Sequence, residues 1–357
     1  MDHRIKPLDG LRSLAVFGIV WVHSWIFTGN PSLKVFNIDI YRVIAIAGNG
    51  VSFFFVISGF FMYLVLSKKK FSAGNYLQFI ANRWKRIAPA YYVSAIIYSF
   101  YYLFQEDHYP FFKLLLIDFV FLNNLFYDAN IISPYWSLGT EWHFYLLLPL
   151  LFIFNNNKEF LLALCFFALL SLFFLFSMHK GILNEVFWRA QILPRFIEFA
   201  WGILAGFLYK NKIALPWWMR SVKAVFFSII VTYAGRLLMV TEMIDKFGSY
   251  HWLARSIAEP VMTFGFAWFL YLMVTEKSRL SDFLSKPFFG YLGKLSYSVY
   301  LWHAVIFLVL EQIKFIGTSI PWLNSLLVFF LTSGLTILIA HFSYKYLEAP
   351  YFRSKKV

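Results

Sequence analysis

Phe160-Leu-Leu-Ala-Leu-Cys165-Phe-Phe-Ala-Leu-Leu-Ser171-Leu-Phe-Phe-Leu-Phe176 decides the fold class of this chain. The run is apolar on every face of a helix and long enough to approach one bilayer crossing. A transmembrane β-barrel would instead show short strands alternating apolar and polar side chains. Hydrocarbon offers backbone N–H and C=O groups no water, so a run of this kind must satisfy them internally, as a helix does. Working outward, similar runs recur along all 357 residues with little polar sequence between them. The chain is 60% hydrophobic and 14% charged, with a mean hydropathy of +0.64. The expected class is all-α: a polytopic membrane protein with about ten transmembrane helices and no soluble domain.

The spans are expected near residues 11–28, 43–66, 89–104, 136–154, 159–177, 196–209, 222–239, 255–274, 294–313 and 322–344. The stretch 113–126 is apolar but falls short of the roughly 20 residues a crossing needs, so it reads as re-entrant or interfacial. The formal charge of +14 is clustered between apolar runs rather than along a soluble face, which points to topology and away from nucleic acid. With the N-terminus cytoplasmic, most lysines and arginines fall on the inner side, among them Arg4, Lys6, Arg12, Lys68, Lys69, Lys70, Arg83, Lys85, Arg86, Lys345, Arg353, Lys355 and Lys356. Both termini are then expected inside. Basic residues before Leu14 to Phe27 mimic a signal peptide, but no small-residue cleavage site follows, so a retained first helix is expected. Cys165 is the sole cysteine, which rules out an intrachain disulfide and a cysteine metal site. No linker, low-complexity tract or repeat divides the chain, so residues 1–357 read as one membrane domain.

Ionisable residues inside apolar runs are the candidates for chemistry. His23 lies eleven residues after Arg12; eleven steps of about 100° make three turns plus about 20°, placing both on one helix face about 16 Å apart. Histidine exchanges its proton near neutral pH and suits general-base work; a packed histidine below a snorkelling arginine is the plain alternative. Glu141, in Trp136-Ser-Leu-Gly-Thr-Glu141-Trp-His-Phe-Tyr145, heads the fourth span at a depth comparable to His23. A carboxylate there can accept the second ring N–H of a histidine and fix its tautomer; pairing with Arg195 or Arg236 is the alternative. Arg83 and Arg86 suit phosphate, because guanidinium forks match phosphate oxygens, while Lys68, Lys69 and Lys70 read as lipid anchoring. His303, in Leu301-Trp302-His303, reads as polar in the cytoplasmic half of the ninth span, where it lines a donor entrance or is a satisfied core histidine. Ser58-Gly59 lacks the surround of a nucleophile elbow and reads as close helix packing. Metal-binding HExxH and phosphate-cradling glycine loops are absent from the sequence.

In combination, these segments resemble the acyltransferase-3 family of integral membrane O-acyltransferases across nearly the whole chain. The opening Arg4-Ile-Lys-Pro-Leu-Asp9-Gly-Leu-Arg12 with His23 is similar to its first-helix signature. Phe55-Val-Ile-Ser58-Gly59-Phe60, Arg83-Trp-Lys-Arg86-Ile-Ala-Pro89, the Trp136 to Glu141 run, Gly293 to His303 and Glu348-Ala-Pro350 resemble later motifs in the same order. The resemblance implies transfer of an acyl group, commonly acetyl, from acyl-CoA to a carbohydrate hydroxyl. It implies a catalytic set of His23, Glu141 and Arg12, a donor set of Arg83, Arg86 and His303 for acetyl-CoA as co-substrate, and no metal. The implied partners are acyl-CoA, a lipid-linked or surface glycan acceptor and membrane lipids, without nucleic acid; a homo-oligomer is compatible with it. The implied location is the inner membrane of a bacterial cell, and the first-choice acceptor is lipopolysaccharide O-antigen. Some members carry a further helix and an extracytoplasmic esterase-like domain, whereas this sequence ends at Val357, so direct transfer or a separate partner is expected. A proton-coupled transporter or glycan flippase using the same intramembrane His23, Glu141 and Arg12 is the competing class.

Overall fold

The computed structural model describes residues 5–35, 38–40, 48–68, 70–105, 110–126, 130–154, 156–239, 245–313 and 317–352. Among them the only strands are two short ones, β1 (Lys34–Val35) and β2 (Ile38–Asp39), paired antiparallel. The remaining elements are helical, as expected for the all-α class. In the first half they are α1 (Lys6–Phe27), α2 (Gly50–Leu66), α3 (Ala73–Leu103), α4 (Phe111–Phe119), α5 (Trp136–Leu147) and α6 (Asn157–His179). The second half holds α7 (Glu185–Trp188), α8 (Ile192–Lys210), α9 (Val222–Leu237), α10 (His251–Thr275), α11 (Arg279–Leu284), α12 (Pro287–Gln312) and α13 (Pro321–Ser343).

Local chemistry sets the ends of these helices. Ser72 caps α3 by accepting from the Asn75 N–H at 3.2 Å, Asn156 caps α6 through the Glu159 N–H at 2.8 Å, and Ser221 caps α9 through the Ala224 N–H at 3.3 Å. Proline opens α12 and α13, where its missing N–H is no loss. At the end of α1, Thr28 Oγ1 donates back to Ser24 O at 2.9 Å, and the next two residues, Gly29 and Asn30, turn left-handed at φ 82° and 56°.

Among the described residues, six helical stretches are long and apolar enough to cross a membrane: Lys6–Phe27, Asn157–His179, Glu185–Lys210, Phe247–Thr275, Pro287–Gln312 and Pro321–Tyr351. Helix α2 is apolar but shorter; the front of its expected span, 43–47, lies outside the described residues, as do Arg4, Lys69, Arg353, Lys355 and Lys356. The decisive helix, α6, is the least enclosed: Leu162, Phe166, Leu169 and Phe173 stand exposed at spacings of four, three and four residues, a single stripe suited to lipid. Helix α4, where 113–126 was read as interfacial, has nine residues, about 14 Å, well under a bilayer thickness. The fourth expected span, 136–154, is α-helical only to Leu147 and tightens into a 3₁₀ stretch over Leu148–Ile153. Pro149 supplies the reason, since it has no N–H to donate and its ring crowds the carbonyl of Tyr145.

The chain forms two compact units. Unit 1 comprises Met1–Val51, Lys85–Tyr98 and Arg279–Val357; unit 2 comprises Ser52–Trp84 and Ser99–Ser278. Both are assembled from separated stretches, and the middle of α3 belongs to one while its ends belong to the other, so no linker in the sequence marks a boundary. In unit 1, α1, α12 and α13 pack together. A Cβ on Gly293 would stand 2.1 Å from the Asp9 carbonyl oxygen, so only glycine permits that approach of α12 to α1. In unit 2, Gly59 of α2 and Gly202 of α8 bring the two backbones into contact, each added Cβ falling within 2.3 Å of a carbonyl oxygen on the facing helix. The Ser58-Gly59 pair therefore does the packing expected of it, and Ser58 has a second connection described below.

Candidate active site

In unit 1, His23 lies seventeen residues past the start of a helix in which Val16, Ile19 and Val20, seven, four and three residues before it on the same face, are buried. Its Nδ1 lies 2.8 Å from Nε2 of His303 on α12. The ring centroids are 5.0 Å apart with planes 16° from parallel. The nitrogen contact plus the two ring radii accounts for that separation, so the imidazoles meet edge to edge in nearly one plane. Phe307 presents its edge or face to both, with centroids at 6.3 Å from His23 and 6.2 Å from His303, and Phe27 packs on Phe307 at 5.4 Å. His303 is fully buried and its Nδ1 is 2.7 Å from Tyr300 O, one turn earlier; His23 is only partly enclosed. Tyr98 OH donates to Leu301 O at 3.0 Å and Tyr297 OH to Ile87 O at 2.9 Å, fastening the middle of α3 to this part of α12.

The contact joins two histidines that the sequence did not relate: His303, expected in the cytoplasmic half of the ninth span, meets His23 directly. Helix α12 starts at Pro287, before the expected 294, and runs parallel to α1 with Gly293 at Asp9; the two imidazoles then bridge the remaining distance between the helices. Nearer the start of α1, Arg12 lies within electrostatic reach of one carboxylate, Glu348, as does Arg86 from the middle of α3. Glu348 is buried in a π-helical turn, Tyr344–Glu348, and accepts a hydrogen bond from Ser298 Oγ, which also lies 2.9 Å from Ser343 Oγ. A π-turn often marks a functional position. Sequence reasoning named all three ionisable residues without joining them.

In unit 2, Glu141 is one corner of a polar trio. Its Oε1 accepts from Ser58 Oγ at 2.8 Å and from Tyr145 OH, one turn along α5, and Ser58 Oγ lies 3.2 Å from Tyr145 OH. Arg83 stands within electrostatic reach of Tyr145, rests over the Phe79 ring at 5.7 Å and points Nη1 at Met62 Sδ at 3.6 Å. The two arginines of α3 thus have different surroundings, Arg83 beside Tyr145 and Arg86 beside Glu348. Neighbouring Trp142 stacks on Phe121 at 4.8 Å, and His143 Nδ1 takes a 3.3 Å contact from the Asn124 amide.

The alternative partners weighed for Glu141 are otherwise engaged. Arg195 bonds Glu198 at 2.7 Å and Glu259, donates Nε to Arg189 O at 2.7 Å, and lies over the Trp136 ring at 5.2 Å. Arg236 contacts Met239 Sδ at 3.9 Å. Glu198 sits three residues after Arg195 on the same helix face, a readable signal; Glu259 comes from α10 and had none.

A family model described as an acyltransferase domain, the acyltransferase-3 family, matches residues 5–341. Among named proteins, this chain is 28% identical over 310 residues to "Putative acetyltransferase ORF330" of Acidianus two-tailed virus, covering 85% of this chain and 83% of that one. It is 25% identical over 376 residues to the O-acetyltransferase OatA of Staphylococcus aureus, covering 97% of this chain but 57% of the relative, so it spans a little over half of that protein's length. No solved structure matches it.

Proposed function

The chain belongs to the acyltransferase-3 family, and from that premise we propose that it is a membrane O-acyltransferase moving an acyl group, acetyl in the first instance, from cytoplasmic acyl-CoA to a hydroxyl of a cell-surface glycan. Lipopolysaccharide O-antigen is the leading acceptor. The observation that carries the reading is His23: a partly enclosed imidazole, held by a hydrogen bond to His303, on a helix that also bears Arg12, within the stretch the family model matches. The relative named as an O-acetyltransferase supports acetyl as the group transferred.

The chemistry balances with these groups. The His23 ring takes the proton of the acceptor hydroxyl as its oxygen attacks the thioester carbonyl carbon. The carbon–sulfur bond then breaks, the ester forms, and the CoA thiolate departs and collects the proton. Arg83 and Arg86 are proposed to meet CoA phosphates, Arg12 to guide the donor, and Glu141, presented by Ser58 and Tyr145, to serve turnover as the second ionisable group. An acyl-enzyme on His23 is a variant of the same route. Helices α2, α3, α5 with its 3₁₀ extension, and α9 would bring the six long apolar helices to ten crossings, with both termini cytoplasmic in a bacterial inner membrane.

The test is ester-linked acetyl on the surface polysaccharide of cells expressing wild-type or His23→Ala protein, read by NMR before and after mild alkali. Alkali-labile acetyl with wild type alone supports the proposal and identifies the sugar. Absence from both, with expression confirmed and an acceptor present, overturns it and favours a transporter, which makes no ester.

A further inference from the structure

We infer that His303 is the positioning residue of this site: it sets the tautomer of His23 and leaves Nε2 of His23 as the nitrogen that takes the proton. The inference rests on the acyl-transfer reading of His23 and departs from two expectations, that His303 lines the donor entrance and that Glu141 fixes the histidine tautomer; Glu141 Oε1 accepts from Ser58 and Tyr145 instead. It follows from hydrogen-bond bookkeeping along one line of atoms.

The Tyr300 carbonyl can only accept, so the 2.7 Å contact to Nδ1 of His303 requires a proton on that nitrogen. In a neutral imidazole the other nitrogen, Nε2, then carries a lone pair. The 2.8 Å contact to Nδ1 of His23 therefore requires the proton to sit on the His23 side. With Nδ1 of His23 protonated, its Nε2 carries the free lone pair. The near-coplanar, edge-to-edge arrangement is what an in-line N–H···N bond demands, and face stacking would not supply it. The Tyr300 backbone thus dictates the protonation pattern of both rings, and the dictation ends on the ring that is partly exposed. His303 is fully buried, so it acts on the reaction through His23 and not by touching donor or acceptor. Phe307 packs against both imidazoles and keeps their planes from turning.

The substitutions that test this exploit amide geometry. A glutamine at 303 carries its amide to roughly where Nε2 stands and can still accept from His23; an asparagine reaches only the Nδ1 position and cannot. His303→Gln is expected to keep kcat within about tenfold of wild type, whereas His303→Asn and His303→Ala lose on the order of 100-fold, with KM for acetyl-CoA unchanged within about twofold. A second readout needs no turnover: solid-state NMR of the full chain in lipid bilayers with ¹⁵N-labelled histidine, the His23 signals assigned by their loss in His23→Gln. His23 is expected as the Nδ1–H tautomer in wild type and His303→Gln, shifting towards Nε2–H in His303→Asn. Wild-type His23 in the Nε2–H form, or His303→Asn with wild-type kcat, would overturn the inference. A raised KM for acetyl-CoA at unchanged kcat would return His303 to the donor site. If the protein makes no ester at all, the acyltransfer reading fails while the NMR arm still reports the tautomer.

Discussion

Two buried polar clusters, one in each unit, are built on opposite principles. In unit 2, Arg195 is held through Nη1 by Glu198 and Glu259, through Nε by the Arg189 carbonyl and through its face by the Trp136 ring, so its charge is met by two carboxylates. In unit 1, the line from Tyr300 O through His303 to His23 is directional and ends on a ring that is only partly enclosed. Ionisable residues within membrane helices are functional candidates by default. The contrast sharpens that default: charges that neutralise one another hold helices together, whereas a line of donors and acceptors that ends on a partly exposed ring presents a lone pair to chemistry. Mutations should therefore separate the two regions by what they damage.

The largest effect is expected at the open end. His23→Ala should reduce acetyl transfer on the order of 10³-fold or more, within the range of general acid–base contributions, while leaving the amount and thermal stability of purified protein near wild type. Loss of folded protein on this substitution would place His23 with the structural clusters instead. Arg195→Leu should do the reverse, because it strands two carboxylates in a buried setting. Breaking a buried ion pair by removing one partner costs about 3–5 kcal/mol, so the expected result is low membrane yield and a lowered melting temperature in detergent. A well-folded Arg195→Leu protein without activity would instead mark this cluster as part of the reaction.

How much of this was legible in the sequence depends on how far apart the interacting residues lie. The helical class was plain from Phe160 to Phe176, because no other secondary structure tolerates that run in lipid. Contacts within one helix were also readable: Glu141 with Tyr145 at i,i+4 and Arg195 with Glu198 at i,i+3. The His23–His303 bond spans 280 positions and depends on which helices become neighbours, which periodicity cannot say. The start of α12 also differs from the expected one. The span was expected to open at Lys294, yet Pro287-Phe-Phe-Gly-Tyr-Leu-Gly293 already forms the first turns of α12. The electrostatic proximity of Arg12 and Arg86 to Glu348 was hidden in the same way as the histidine contact, since three distant segments supply it. Two compact units were invisible because each is stitched from non-adjacent stretches.

Between the two extremes stands Glu141, whose trio with Ser58 and Tyr145 is neither sealed by a cation nor plainly open. Glu141→Gln keeps an oxygen able to accept from both hydroxyls and removes only the charge. If the carboxylate serves turnover, kcat should fall on the order of 10- to 100-fold at unchanged stability; a wild-type rate would class the trio with Arg195 as packing.

The smallest effect is expected from the α3 arginines, and it tests whether neighbours on one helix share a task. Three residues apart, Arg83 and Arg86 face different partners, Tyr145 for the first and Glu348 for the second. If both meet CoA phosphates, the double substitution Arg83→Ala with Arg86→Ala should weaken binding by roughly the product of the single effects, each about tenfold for one charge-assisted contact. Binding of acetyl-CoA to the purified protein by calorimetry measures this without turnover. If only Arg86→Ala weakens binding, the phosphate site belongs to the cluster around Glu348, and Arg83 serves the Glu141 trio. That outcome would divide the donor and carboxylate tasks along the boundary between the units, which runs between these two arginines on a single continuous helix.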